Sequence, residues 1–588
     1  MCEIARNPEQ TRAVKEKGHC IVLAGPGSGK TKTLTTAMAR TLIEDVPAPR
    51  GIACITYNNE CALELEERLA RLGVEPNDRV FIGTVHSFAL SQVISPYARC
   101  ALPELSSSFR IATAEECRQA VVAAHRAAID DGGDPHDRWR FAEHKRRREV
   151  DRTSPHWRGR NVELAIFIEA YEQELRQKGL IDFDDMPLIA FRMVQANPWI
   201  RNAVRARFPS IFVDEYQDLG YALHELILQL CFEAGVRLFA VGDPDQSIYA
   251  FAGANPGLLT SLTSRPGVRT IGLRFNYRCG TRIISASIGA LGEDRDYAAP
   301  DGAGDGLVLF GAVDGELSAQ AEHIASKVVP ALTSRNIPLQ EIAVLYRTAA
   351  HGDLVASAAL AAGLPVVRAD HRALVRRNSR LSRFIEACAR WVVGGWKHAE
   401  PPFRRLSDDA CALVFGPGAS VEERQALQLE LIAFLKESIA ARHSTNSWLK
   451  ELQARLVEPW RSLARTITED WDVVSQMIAR TDPNSDDGDM ELSHFAGRIE
   501  GSGRLNLSTL HSAKGREFEA VVLFAMNRDV IPSRRDLKGP DGAREARRLF
   551  YVGVTRARRE LHIVFQKGQH SPWVKALYDR IKPATASS

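Results

Sequence analysis

Long apolar runs are missing from this sequence. No uninterrupted stretch is long enough to span a bilayer, so a membrane-spanning helix and a membrane partner are excluded. The amino-terminal MCEIARNPEQ is polar and lacks the apolar segment of a secretory signal. Cysteine is sparse, ten in 588 residues, with no CxxC pair and no Cys/His cluster at metal-binding spacing. That excludes a disulfide framework, a zinc module and an iron–sulfur site, and leaves free thiols in a cytoplasmic protein as the expectation. A strong charge of either sign is also absent. The net charge of +3 does not by itself predict a nucleic-acid partner, so the placement of the charges must be read instead. No segment repeats at a fixed period.

The composition, 45% hydrophobic and 25% charged, is that of an ordinary globular protein. The length implies three or four structural units. Short apolar runs alternate with helical patterns in two regions. The first holds Cys20–Leu23, Gly51–Ile55, Ile211–Val213 and Arg237–Val241; the second holds Ile342–Tyr346, Ala520–Phe524 and Leu561–Phe565. This pattern predicts an α/β protein with parallel, doubly wound sheets. Between these pieces, residues 96–179 and 386–500 show helical apolar spacing, as in VELAIFIEAYEQELRQKG and VEERQALQLELIAFLKESIAARH. Two α/β halves, each interrupted by a helical insertion, are the expected architecture.

Residues 212–218 read FVDEYQD, an apolar strand that stops on two adjacent carboxylates. Either the strand reaches solvent there, or Asp214 and Glu215 face a cation at the carboxyl end of a parallel strand. A second motif decides between them. IVLAGPGSGKTKTL at 21–34 is strand, Gly-rich loop and helix: Ala24, Gly25, Pro26, Gly27, Ser28, Gly29, Lys30 and Thr31 form a Walker A loop, with Ala in the first position. Its glycines let backbone N–H groups curl round an anion at a helix N-terminus. Lys30 is then expected to bridge the β- and γ-phosphates of ATP and Thr31 to hold Mg²⁺ with Asp214, while Glu215 polarises the attacking water.

Further pieces follow in a fixed order: NPEQ at 7–10, ITYNN at 55–59, GTVHSF at 83–88, VGDPDQSIY at 241–249, FNYR at 275–278, TLHSAKGREF at 509–518 and RLFYVGVTRA at 548–557. Together they resemble the motif set of superfamily 1A DNA helicases of the UvrD/Rep/PcrA type. The resemblance implies two RecA-like P-loop domains: domain 1A at 1–95 and 180–275 with helical insertion 1B at 96–179, and domain 2A at 276–385 and 501–588 with a reduced insertion 2B at 386–500. It implies that Gln10 reads the adenine edge, Tyr277 stacks on the base, and Lys32 stands where close relatives carry Arg. Gln246 would link the γ-phosphate to DNA contact, Arg278 and Arg556 would reach that phosphate from the second half, and Glu517 would bind the sugar. ATP bridging the two halves would couple hydrolysis to motion.

Single-strand binders combine a basic groove with aromatic platforms. Tyr57, Tyr249 and Phe251 are the candidate platforms; Thr56, Asn58, His86, Thr509 and His511 are candidate polar contacts. Phe88 has apolar neighbours and is expected to be buried. The basic stretch 138–160, with its tryptophans, is expected to touch DNA phosphates, and Arg376, Arg377, Arg380 and Arg383 form a weaker basic candidate. Ala252 stands where the family usually has Arg, Phe251 where it has Trp, and Arg516 where it has an aliphatic residue. The implied activity is ATP-dependent translocation on single-stranded or junction DNA with strand separation, 3′ to 5′, in a repair setting. The alternative is a DNA-activated ATPase subunit acting with a partner nuclease in defence or recombination.

Overall fold

The computed structural model describes residue 4 and residues 7–57, 59–74, 78–102, 109–129, 132–159, 161–250, 253–370, 374–375, 379–397, 401–416, 419–440, 444–464, 471–485, 490–497 and 503–581. Asn58, Phe251, Ala252, Arg376 and Arg377 therefore lie outside the described residues.

Two parallel sheets of six strands organise the chain. The strands are β1 (His19–Ala24), β2 (Ile52–Thr56), β3 (Val80–Thr84), β4 (Arg110–Ile111), β5 (Leu180–Ile181), β6 (Ser210–Val213), β7 (Arg237–Gly242), β8 (Val268–Leu273), β9 (Leu307–Val313), β10 (Ile342–Tyr346), β11 (Val366–Arg368), β12 (Leu505–Thr509), β13 (Phe518–Leu523) and β14 (Ala557–Gln566). The first sheet has the order β3-β2-β6-β7-β1-β8 and the second β11-β12-β10-β13-β14-β9; β4 and β5 form a separate short pair. Every residue of β2, β6 and β10 is buried, as expected of strands covered on both faces. Apolar cores flank each sheet on both sides. This is the RecA-like α/β architecture, present twice.

Register fixes where side chains emerge. Ile55 of β2 is level with Val213 of β6, Val213 with Ala240 of β7, and Leu23 of β1 with Gly242 of β7. The FVDEYQD acids, the phosphate-type loop and the GDPDQ turn thus leave one carboxyl edge together, where open α/β sheets bind ligands.

The helices between these strands have their own centres. Those from Ala114 to Gln177 pack around Trp157, Phe167 and Tyr171. The first of them starts on a capping box, in which Thr113 and Glu116 satisfy each other's backbone N–H. Helices between Arg380 and Gly497 enclose Trp448, Trp460 and Phe434. No helix among the described residues is long and apolar enough to cross a membrane.

Candidate nucleotide site and nucleic-acid interface

β1 delivers the chain into the loop Gly25–Gly29, and the helix Lys30–Arg40 begins at once. Gly27 (φ 67°) and Gly29 (φ 83°) adopt left-handed backbone that a side chain would strain. Space is closed there too: a β-carbon on Gly27 would lie 2.4 Å from Asn276 Oδ1 and 2.6 Å from Arg278 Cβ, and one on Gly29 would lie 2.5 Å from Gln10 Nε2. The helix has no side-chain cap at Gly29, so its first N–H groups remain for an anion. Ser28 Oγ donates to the Gly25 carbonyl (2.7 Å) and steadies the loop.

Asp214 and Glu215 emerge from β6 beside this loop. Asp214 N donates to the Ile55 carbonyl (2.9 Å), and Asp214 Oδ1 accepts from Glu215 N (3.0 Å). Glu215 has φ 49°, ψ 47°, a left-handed conformation unusual for glutamate. Gln217 Nε2 holds its carboxylate, and Gln217 Oε1 accepts from Asp243 N (2.9 Å). Burial, and then the neighbouring Glu215, raise the Asp214 carboxyl above the ordinary range. Burial would raise Glu215 as well, but Lys30 and Lys514 hold it below that range. Two packed acids of this kind, beside a Gly-rich anion cradle and a lysine, form a donor set suited to Mg²⁺ and nucleotide phosphates.

The second half of the chain closes on this edge. Tyr277 N donates to the Gly27 carbonyl (2.9 Å), and the Tyr277 hydroxyl, on a half-exposed ring, accepts from Asn7 Nδ2 (2.9 Å). Asn7 also caps the helix Pro8–Lys15 that carries Gln10, and Gln10 Nε2 donates to the Ser28 carbonyl (2.9 Å). Arg556 is only 2% exposed. It donates to the carbonyls of Val552 (3.0 Å) and Arg516 (3.2 Å), to Thr555 Oγ1 (3.0 Å) and to Gln246 Oε1 (3.4 Å). Gln246 Nε2 donates to Asp243 Oδ2 (2.6 Å). Burial, and then Arg278, lower the Arg556 guanidinium to about 10. Arg278 pairs with Glu517, whose other oxygen accepts from Arg558 (2.6 Å). The Glu517 carboxylate is thus held between two arginines. Arg558 carries no motif signal of its own; only a pair of cations after TRA points to it.

The nucleic-acid candidates fall in one neighbourhood. Tyr57 stacks on Tyr249 (centroids 4.8 Å, 19° between planes), and Lys514 Nζ stands 5.0 Å from the Tyr249 centroid. His86 stacks on Phe183 at 3.7 Å, an aromatic that sequence reasoning passed over. Burial pushes both His86 and His511 down to about 4, so both are neutral at pH 7. Thr56 is fully buried and its hydroxyl has no hydrogen-bond partner among the described residues. Thr509 Oγ1 caps its own turn by accepting from Ser512 N (3.1 Å). Phe88 is buried, edge-on to Phe81.

The basic stretch 138–160 corrects the expectation of general phosphate contact. Arg146 is buried and donates to Asp182 (2.7 and 3.1 Å), Glu172 (3.0 Å) and Asp185. Arg152 lies 3.5 Å over the Trp157 ring and pairs with Glu172 (2.8 Å); Lys145 pairs with Glu149. Trp157 is core, donating to Glu169 (2.7 Å). These cations are already neutralised, because three acids from later elements, Glu172, Asp182 and Asp185, fold back on them and Glu149 pairs with Lys145 one turn away. An outer row on the helix Pro135–Arg148 stays exposed, with Arg140, His144 and Arg148 around Phe141, itself 70% exposed.

The UvrD/REP helicase N-terminal domain model matches residues 6–266, and the UvrD-like helicase C-terminal domain model matches residues 488–568, together more than half of the chain. The chain belongs to the UvrD/Rep helicase family. It is 27% identical to the ATP-dependent DNA helicase UvrD1 of Mycobacterium tuberculosis H37Rv, over 95% of this chain and 82% of that protein. It is 27% identical to DNA helicase II of Escherichia coli K12, over 95% of this chain and 84% of that one. With the ATP-dependent DNA helicase PcrA of Bacillus subtilis it shares 25% identity over 95% and 82%. The N-terminal UvrD match spans the phosphate-type loop, the acid pair and the Tyr57–Tyr249 stack; the C-terminal match contains Lys514, Glu517 and Arg556.

Proposed function

We propose that this UvrD-type helicase couples ATP hydrolysis to 3′–5′ translocation on single-stranded DNA and to strand separation, acting in the cytoplasm on single-stranded and junction DNA. One observation carries the reading. Lys30, Asp214 and Glu215, at the carboxyl edge of the first sheet, lie close enough to Arg556 for its charge to act on Glu215, and Arg556, which sits just before β14 at the amino edge of the second sheet, also donates to Gln246 Oε1 (3.4 Å). The proposed division is 1A (1–95 and 180–275), 1B (96–179), 2A (276–385 and 501–588) and 2B (386–500).

In this reading the loop from Ala24 to Thr31 binds the phosphates and Lys30 bridges them. Thr31 and Asp214 would hold Mg²⁺, which would neutralise phosphoryl charge. Glu215 accepts a proton from the attacking water, a task for which its low-lying carboxylate is already ionised. Arg556 and Arg278 face the charge that develops in the transition state, and they lie on the other half of the chain, so cleft closure and hydrolysis are linked. Gln10 and Tyr277 frame the base, Lys32 lies near it, and Glu517 meets the sugar once its pairing with Arg278 and Arg558 loosens. Tyr57, Tyr249 and Phe251 offer faces to DNA bases, while Thr56, Asn58, His86, Thr509 and His511 contact its backbone.

The test is strand displacement on duplexes carrying a 3′ or a 5′ single-stranded tail, with ATP and Mg²⁺. Displacement confined to the 3′-tailed duplex is expected. Displacement from the 5′ tail overturns the polarity. DNA-stimulated ATPase without displacement from either would favour a subunit working with a nuclease or repair partner.

A further inference from the structure

After the helix Thr281–Leu291 the chain does not return directly to the second sheet. Residues 293–299 run back across the mouth of the nucleotide cleft as a strap. Its backbone is pinned to the segment that joins the sheets: Ala298 N donates to the Arg274 carbonyl (3.0 Å) and Asn276 N to the Ala298 carbonyl (2.8 Å). Its side chains reach three places in the first half. Arg295 makes a two-pronged bridge to Asp245 of the GDPDQ turn (2.7 and 2.9 Å). Asp296 meets Arg274 (3.2 Å), which also holds Glu9 in the Gln10 helix (3.0 Å). Tyr297 lies on the phosphate-type loop itself: a β-carbon on Gly25 would fall 2.6 Å from its Cε1 and 2.7 Å from its Cζ.

The other side of the Tyr297 ring belongs to the second half. Tyr297 packs against the apolar core of that half, which includes Leu549, Phe550 and Val552 of the helix Pro540–Val554. That helix ends two residues before Arg556 and is fastened to the end of the helix that leads into the strap, since Arg547 Nε donates to the Ala290 carbonyl (3.1 Å). Tyr297 thus stands between the loop that carries Lys30 and the helix that leads to Arg556. Nothing in the motif set singles it out.

We infer that Tyr297 is a positioning residue for ATP binding, a strut that sets the Gly25 end of the phosphate loop against the arginine-bearing helix, with Arg295 anchoring the strap to the turn that carries Gln246. This rests on the reading of Gly25–Thr31 as the nucleotide loop. A loop propped in its binding conformation forfeits less ordering entropy when nucleotide enters, so the strut should act on affinity more than on the chemical step.

The experiment measures ATP turnover at saturating single-stranded DNA for the full chain, with binding of a fluorescent ATP analogue and thermal melts alongside. Tyr297→Ala should raise KM and the analogue's Kd by about tenfold while kcat stays within about threefold. Tyr297→Phe, which keeps the ring on Gly25, should restore both to within about twofold. If Tyr297→Ala fails to fold, Tyr297→Leu fills part of the same volume and is read in its place. Wild-type KM and Kd in the folded variant overturn the inference, as does a lowered kcat with unchanged KM. Lys30→Ala separates the two levels. If it abolishes turnover while Tyr297→Ala is unaffected, only the strut falls; if it turns over normally, the nucleotide loop reading falls as well.

Discussion

Lys514 crosses between the two halves of the chain to reach Asp218: its Nζ donates to Asp218 Oδ2 (2.5 Å) and to the Gln246 carbonyl (2.7 Å). The same ammonium stands over Tyr249, whose ring stacks on Tyr57. The FVDEYQD acids, the GDPDQ turn and the Tyr57–Tyr249 stack therefore share one cation. Burial raises Asp218 to about 6 even with this lysine pulling it down, so the pair is costly to break. Lys514→Ala is expected to lower the ratio of DNA-stimulated to basal ATP turnover several-fold. An unchanged ratio in a folded variant would reduce Lys514 to a static bridge.

Glu215→Gln should bind ATP normally and hydrolyse it at least about tenfold more slowly, equivalent to roughly 1.4 kcal/mol of barrier, because the water loses its base. Single-turnover hydrolysis measures this. A smaller fall would assign water activation to another group.

Tyr57→Ala removes one ring of the Tyr57–Tyr249 stack. If the pair receives a base, single-stranded DNA affinity should fall by about 1–3 kcal/mol while basal ATPase changes little. Fluorescence anisotropy at fixed salt is the readout. Intact affinity would assign the stack to packing alone.

Arg146→Ala should act on stability and not on DNA. It leaves Asp182 without its buried counter-ion and strips one cation from Asp185 and Glu172, which keep Arg176 and Arg152, a loss of about 3–5 kcal/mol. Chemical denaturation measures it. By contrast, Arg148→Ala on the exposed row should leave stability within about 0.5 kcal/mol of wild type.

His86 gives a pH dependence. Its folded pKa of about 4 lies below the ordinary 6.5 because burial disfavours the charged ring. The unfolded chain takes up this proton below pH 6.5 and the folded chain does not until about pH 4. Stability present above pH 6.5 is therefore lost progressively as pH falls across that window. Tm should drop over that range, and the slope should be shallower in His86→Gln. A parallel displacement of the curve with the same slope would exclude His86 as the source.

The motif strands were legible because β1, β2, β6, β7 and β10 are buried on both faces and so read as unbroken apolar runs. Others were not. β8 and β9 are edge strands, β8 with only two buried positions and β9 with none, and VRTIGL and LVLFGAV carry no clear end signals. β12 hides Asn506 and Ser508 in the interior, where Asn506 Nδ2 finds the Gln340 carbonyl (2.8 Å); LNLST looks too polar for a central strand. The basic stretch misled for the opposite reason. Its cations are local in sequence, while the acids that neutralise them, such as Asp182 and Asp185, come 36 and 39 residues later. The strap escaped because its contacts are set by where the chain passes and not by any residue pattern.

The left-handed backbone of Glu215 sets evolution and engineering against each other at one position. A glycine or asparagine would accept φ 49° more readily than glutamate does, so a screen for heat tolerance alone should drift towards those residues. Each such gain would delete the carboxylate. If Glu215 is the base proposed above, libraries built to harden this protein should hold position 215 fixed, since the well-folded variants they select there would hydrolyse ATP slowly.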